Sequence, residues 1–148
     1  LSSFKHSAEG AVKEILRNIL AVILGVIAGS IVNMGLIMTG GALVPPPAGA
    51  DSSSMESLKA SMHLFGPEHF VFPFLAHALG TLAGALVAAL IASRHKMKFS
   101  LGIGSLFLLG GITNSFLLPA PAWFIALDLT LAYIPMGYLG GRLAGRER

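Results

Sequence analysis

The sequence predicts an all-α membrane protein: an antiparallel four-transmembrane-helix bundle with a short amphipathic helix in the first extracytoplasmic loop. Three observations carry this reading. Hydrophobic residues make up 54% of the 148-residue chain, 18 glycines come on top of them, and only 11% of residues are charged. A soluble domain carries about 25% charged residues, so these few charges are too sparse to clothe a water-facing surface. Four apolar runs are each long enough to cross a hydrocarbon layer of ~30 Å, which takes about 20 helical residues. Finally, the runs are rich in Ala and Leu and lack the period-2 alternation of barrel strands, which favours helices. Residues 1–148 are read as a single integral membrane domain.

The first span is read over Ile15–Met38, with Arg17 and Asn18 only at its start, where a long side chain can snorkel. Its apolar stretch exceeds the 7–15 residues of a signal-peptide core, and no Ala-x-Ala site follows closely. The chain opens on Leu1 rather than Met, which points to some trimming. Residues 7–16, with Glu9, Lys13 and Glu14, read as an amphipathic extension of the first helix. Gly40-Gly41 is expected to end that helix, and Pro45-Pro46-Pro47 to impose a stiff extended stretch. Residues 39–69 form the long loop. Within it, Met55, Leu58, Met62 and Phe65 recur at helical spacing, so residues 53–65 read as a short amphipathic helix. Asp51 and Ser52–Ser54 are its cap candidates, and Ser53 with Glu56 has capping-box spacing. The expected helix lies on the membrane surface or caps the bundle, and Gly66-Pro67 breaks it. The second, third and fourth spans are read over Phe70–Ser93, Phe99–Leu118 and Ala122–Ala144, joined by short turns at Arg94–Lys98 and Pro119–Pro121. Pro135 should interrupt the fourth, freeing the carbonyl of Leu131, and Trp123 is read as an interface anchor.

The basic residues orient the bundle. Lys5, Lys13, Arg17, Arg94, Lys96, Lys98, Arg142, Arg146 and Arg148 fall at the termini and the second connection, all on one side of an even number of spans, and Lys59 alone lies on the other. By the positive-inside rule both termini face the cytoplasm, in a bacterial inner (plasma) membrane. The net charge of +3 is thereby explained by topology, and no nucleic-acid partner is expected; the partners are the bilayer and either further copies of the chain or the subunits of a larger membrane complex.

Each span carries a stripe of small or polar residues. Gly25, Gly29 and Asn33 mark the first; His77, Thr81, Gly84 and Ala88 the second; Gly104, Gly111 and Asn114 or Ser115 the third; Asp128, Ala132, Pro135, Gly137, Gly140 and Gly141 the fourth. Gly25-x-x-x-Gly29 and Gly80-x-x-x-Gly84 have the spacing that lets helix backbones approach closely. The segment containing Leu20, Ala21, Leu24, Gly25, Ala28, Gly29 and Val32 recurs 55 residues later as Leu75, Ala76, Leu79, Gly80, Ala83, Gly84 and Val87, on a span of opposite direction, as in inverted repeats. At 1.5 Å per residue, Asn33, His77, Asn114 and Asp128 sit roughly 6–10 Å below the outer ends of four different helices. An Asp facing lipid costs roughly 2.5–3.5 kcal/mol, so Asp128 is expected to turn inward onto His77, with Asn33 and Asn114 completing the hydrogen bonds.

The function classes narrow accordingly. With no cysteine, thiolate catalysis, disulfides and Cys-ligated metals are excluded. No Gly-x-Ser-x-Gly, His-Glu-x-x-His or phosphate-binding loop is present. No cofactor, catalytic residue or metal ligand is assigned. The reading placed first is a non-catalytic accessory or assembly subunit, or a homo-oligomeric scaffold, packed through its Gly-rich faces. The second is a small-solute or proton-coupled transporter or channel that uses Asp128, His77, Asn33 and Asn114, with His63, Glu68 and His69 of the loop as further ligand candidates. The third is a membrane enzyme acting on a lipid.

Overall fold

The computed structural model describes the backbone of residues 2–145 and the side chains of residues 7–145; Lys5, Arg146 and Arg148 of the charge pattern lie outside the described side chains. Helix α1 runs over Ser2–Leu43, α2 over Met55–Ser61, α3 over Val71–Ile91, α4 over Lys96–Leu117, α5 over Ala122–Leu131 and α6 over Ile134–Leu143, with 3-10 turns at Met62–Leu64 and Pro67–Phe70. Four segments are long and apolar enough to cross a membrane: Ser7–Leu43, Pro67–Ile91, Lys96–Leu117 and Ala122–Leu143. The chain is thus an antiparallel four-helix bundle with a loop helix, and it fits a small integral membrane protein.

Two helix ends differ from the sequence reading. Gly40-Gly41 does not stop α1, because the helix hydrogen bonding continues to Val44, whose N–H reaches the Gly40 carbonyl at 2.8 Å. The stop is Pro45, which has no N–H to give and disfavours helical geometry in the residue before it. Gly40 instead makes room for the Phe72 ring, which lies where its Cβ would be. The loop helix is capped by Ser54, whose Oγ accepts from the Ser57 N–H at 3.0 Å, and not by Ser53. The Ser53 N–H is already taken by Asp51 Oδ1 at 2.8 Å, a side-chain turn that pushes the cap one residue on. Beyond Ser61 the chain tightens into the 3-10 turn and breaks before Gly66-Pro67.

Packing is tightest where side chains are missing. A Cβ on Gly25 would stand 2.8 Å from the Gly84 carbonyl oxygen, and one on Gly29 2.7 Å from that of Gly80. The two segments of recurring sequence therefore face each other. Exchanging one copy for the other turns the Gly25–Gly84 contact into the Gly80–Gly29 contact, the reciprocity of a two-fold interface. Ala21 and Ala88 are fully buried along this seam. A second close approach joins α4 to α6, where Gly104 lies against Gly137 and Ser100 Oγ donates to the Gly137 carbonyl at 2.6 Å. Gly140 packs on Ala85 of α3. The stripe glycines Gly25, Gly29, Gly84, Gly104, Gly111, Gly137, Gly140 and Gly141 are thus packed inside the chain, whereas Gly35, Gly41, Gly102 and Gly110 have nothing against them among the described residues.

At the end bearing the α3–α4 turn, Asn18 Oδ1 accepts from both the N–H and the hydroxyl of Ser93, at 3.0 and 2.9 Å. His95 makes the turn itself, in left-handed backbone geometry at φ 54°, and Lys96 Nζ donates to the Ala144 carbonyl. At the opposite end α2 folds back over the bundle. Met62, Phe70 and Phe124 form a buried cluster there, with Leu58, Phe65 and Phe74 packed around it. The loop helix is a cap on the bundle, held by its apolar face.

Candidate functional site

Pro135 controls what happens below that cap. The α5–α6 axis is interrupted between Leu131 and Ile134, because Pro135, the second residue of α6, has no N–H to give to the Leu131 carbonyl and its ring would clash there. In an unbroken helix residues 128 and 133 would point about 140° apart, at 100° per residue. The break brings Tyr133 round to the side of Asp128, and its hydroxyl donates to Asp128 Oδ2 at 2.9 Å. Gly111 of α4 leaves the space into which the Tyr133 hydroxyl fits.

His77, in the second turn of α3, approaches the same carboxylate from the other side, with Nδ1 2.9 Å from Oδ1 and 3.0 Å from Oδ2. Its ring stacks against Tyr133, with centroids 5.8 Å apart and planes 29° from parallel. Asp128 is 4% exposed, so its oxygens depend on these two partners. A carboxylate accepts only, hence Nδ1 is the protonated nitrogen in this pair and Nε2 is left to face elsewhere. A half-satisfied acid here would be costly; with two donors it is a complete local unit.

Of the other residues expected in this layer, Asn114 lines the same cavity, described below. Neither Asn114 nor Asn33 makes a side-chain hydrogen bond to the pair among the described residues. Asn33 packs over Gly80, near enough that a Cβ there would be 3.1 Å from its own, because the α1–α3 seam holds it away from α5. Tyr133 fills the role that the sequence reading gave to the two asparagines. A tyrosine five residues after an aspartate looks misplaced until the proline break is taken into account, and that break is the signal that could have found it.

Between the pair and the loop lies a cavity of about 340 Å³, within the range of small-molecule sites. Its roof comes from Leu58, Met62 and Phe65, its walls from Phe70, Phe72 and Phe124, and its polar edge from His77, Asp128, Asn114, Ser115 and His69. Among the described residues Asp128 is the only carboxylate lining it, and no lysine or arginine does.

The three loop candidates separate. His69 reaches the cavity rim, where its Nδ1 accepts from the Gly66 N–H at 3.2 Å and its Nε2 donates to the Pro45 carbonyl at 3.2 Å, tying the end of α1 to the start of α3. Glu68 is exposed beside it, with 3.4 Å between carboxylate and ring. His63 is exposed and turns back onto the Ala60 carbonyl at 2.9 Å. No group of three His, Asp or Glu side chains among the described residues could share a metal ion. Trp123 is half exposed and packs edge-on against Phe70 and Phe124, at 5.8 and 5.9 Å.

Compared with protein-family models, curated proteins and solved structures, the chain matches none.

Proposed function

We propose that this small integral membrane protein binds a small molecule in the cavity beneath the loop, as a carrier or transporter of that molecule, with His77 and Asp128 as its polar contact. One observation supports this most: a buried carboxylate and an imidazole meet at the wall of a largely apolar hollow of small-molecule size. A pair serving only to fix helix register has no use for a cavity beside it. The positive-inside pattern supports placing the termini in the cytoplasm and the cavity on the far side, with α2 as its outer cover. The scaffold reading draws no support from the glycine stripes, since those faces already pack within the chain.

Native mass spectrometry of the full chain released from lipid nanodiscs tests the proposal. The expected result is a retained small molecule that is lost from Asp128→Asn while the variant stays folded. Equal retention, or none in either protein and no saturable binding of any lipophilic probe, overturns it. The native chain has no cysteine, so orientation is read by single-cysteine labelling from intact cells with an impermeant maleimide. Lys59→Cys should react and Arg94→Cys should not.

A further inference from the structure

The polar edge of the cavity also selects among ligand head groups. Resting on the binding role proposed above, we infer that the ligand is an uncharged lipophilic alcohol or phenol whose hydroxyl donates to His77 Nε2. Asp128 accepts from Nδ1 of that ring, so in the neutral imidazole the proton sits on Nδ1 and Nε2 carries a free lone pair. Nε2 has no partner among the described residues, and the His77 side chain retains 20% exposure where Asp128 retains 6%. The ring thus turns its hydrogen-bonded edge into the protein and leaves its open edge to the cavity.

Charge removes the alternatives. A phosphate or carboxylate head group would enter a space whose lining holds one carboxylate and no lysine or arginine, so its charge would be desolvated without compensation. An ammonium head could also donate to Nε2, but it would bring two or more further N–H donors and a full charge into the space, while the Asp128 oxygens are already hydrogen-bonded to His77 and to the Tyr133 hydroxyl. A hydroxyl needs one acceptor, and Nε2 is that acceptor. Asn114, on the same wall and without a side-chain hydrogen bond among the described residues, can take a second polar atom. The rest of the ligand meets Leu58, Met62, Phe72 and Phe124, which suit a ring or a short hydrocarbon chain.

A matched probe series tests this: 4-hexylphenol, 4-hexylanisole, 4-hexylbenzoate and 4-hexylbenzylamine, titrated into the full chain in nanodiscs. Trp123 is the only tryptophan and touches two residues of the cavity wall, so its emission, excited beyond the phenol band, reports occupancy. The phenol should bind roughly tenfold more tightly than its methyl ether, the worth of one hydrogen bond in a dry site, and the two charged probes more weakly still. His77→Phe should bring phenol and ether to equal affinity. Asp128→Asn, which keeps the shape but no longer fixes the imidazole tautomer, should shrink the ratio several-fold; it serves where the phenylalanine variant fails to fold. Equal binding of phenol and ether by the native chain, or tighter binding of the benzoate or the amine, overturns the ligand class and leaves the binding role standing. Binding of no probe overturns both. Leu58→Trp, which fills the roof, should abolish every response; responses that survive it come from outside the cavity and overturn the inference.

Discussion

The α1–α3 seam and the loop end, where the same two helices meet α4, α5 and the loop, are built in opposite ways. Along the seam, Gly25, Gly29, Gly80 and Gly84 bring backbone against backbone, and fully buried Ala21 and Ala88 continue the contact. At these glycines the contacts are with main chain and neighbouring side chains, and an added Cβ has no room. Toward the loop the partners change to Phe72, Phe70 and Phe124, the helices carry bulk that cannot interdigitate as closely, and a hollow lined by three ionisable groups, His69, His77 and Asp128, remains. Removing side chains makes a rigid joint with no chemistry; large side chains around a proline break make room for it. The seam should therefore tolerate no added volume, while the loop end tolerates changes that cost it function more than fold.

The largest effect belongs to the seam. Gly84→Val sets a branched side chain where even a Cβ would be 2.6 Å from the Gly25 carbonyl oxygen. The expected loss is about 3 kcal/mol or failure to assemble, at the upper end of overpacking costs. Gly110→Val, on a position with nothing within 4 Å, should stay within about 0.5 kcal/mol. Reversible unfolding in mixed micelles measures both; similar costs would erase the distinction between the seam and an open lipid face.

A smaller and more informative effect lies at the proline break. Tyr133→Phe removes one donor from Asp128 and should cost about 1 kcal/mol, in the range of interhelical hydrogen bonds in membranes. Gly111→Ala drives a methyl group onto the Tyr133 hydroxyl and should cost at least as much. The double variant should cost less than the two single changes together, because the alanine then has no hydroxyl to displace. Strict additivity in the same unfolding assay would mean that Gly111 and Tyr133 do not share this space.

What the sequence disclosed follows the same division. The spans, the loop helix, the glycine contacts and the approach of His77 to Asp128 were legible because each depends on local periodicity or on the cost of a charge in hydrocarbon. The exchange of Asn33 and Asn114 for Tyr133 was not. Depth along a helix can be counted from the sequence, but rotation about its axis is set by packing, and the Pro135 break resets that rotation for everything after Leu131. Ser54 was among the cap candidates, but the choice between it and Ser53, which has the capping-box spacing to Glu56, was not legible for a related reason: two side chains competed for one stretch of backbone, and Asp51 claimed the Ser53 N–H. The cavity left no periodic trace, because its lining is gathered from the loop and from every span.

That competition gives the next test in order of size. Ser54→Ala removes the acceptor for the Ser57 N–H and should weaken the loop helix by about 1 kcal/mol, read as faster amide exchange over Met55–Ser61 with the four spans unchanged. Ser53→Ala keeps the backbone N–H that Asp51 uses and should be milder. The reverse order would return the cap to Ser53.

The smallest effect is the most local. Hydrogen bonds from Ser53, through its side chain and its N–H, hold the fully exposed Asp51 carboxyl below its ordinary value of 3.8. A depressed folded-state value means that the ionised form stabilises the loop. The contribution is complete above the unfolded value and is lost as pH falls through the folded one. Loop order should thus be flat from neutral pH to about 4, near the unperturbed carboxylate value, and relax below it, as the Asx turn loses its charged acceptor. The Asp51 backbone limits that loss, since its N–H donates to Ser61 Oγ at 3.0 Å whatever the side chain's charge. Amide exchange at Ser53, corrected for the intrinsic pH dependence, should show the step, and Asp51→Asn should remove it. A step of equal size at Gly84 in the seam would mean that acid acts on the whole bundle, and the independence of the two regions would fail.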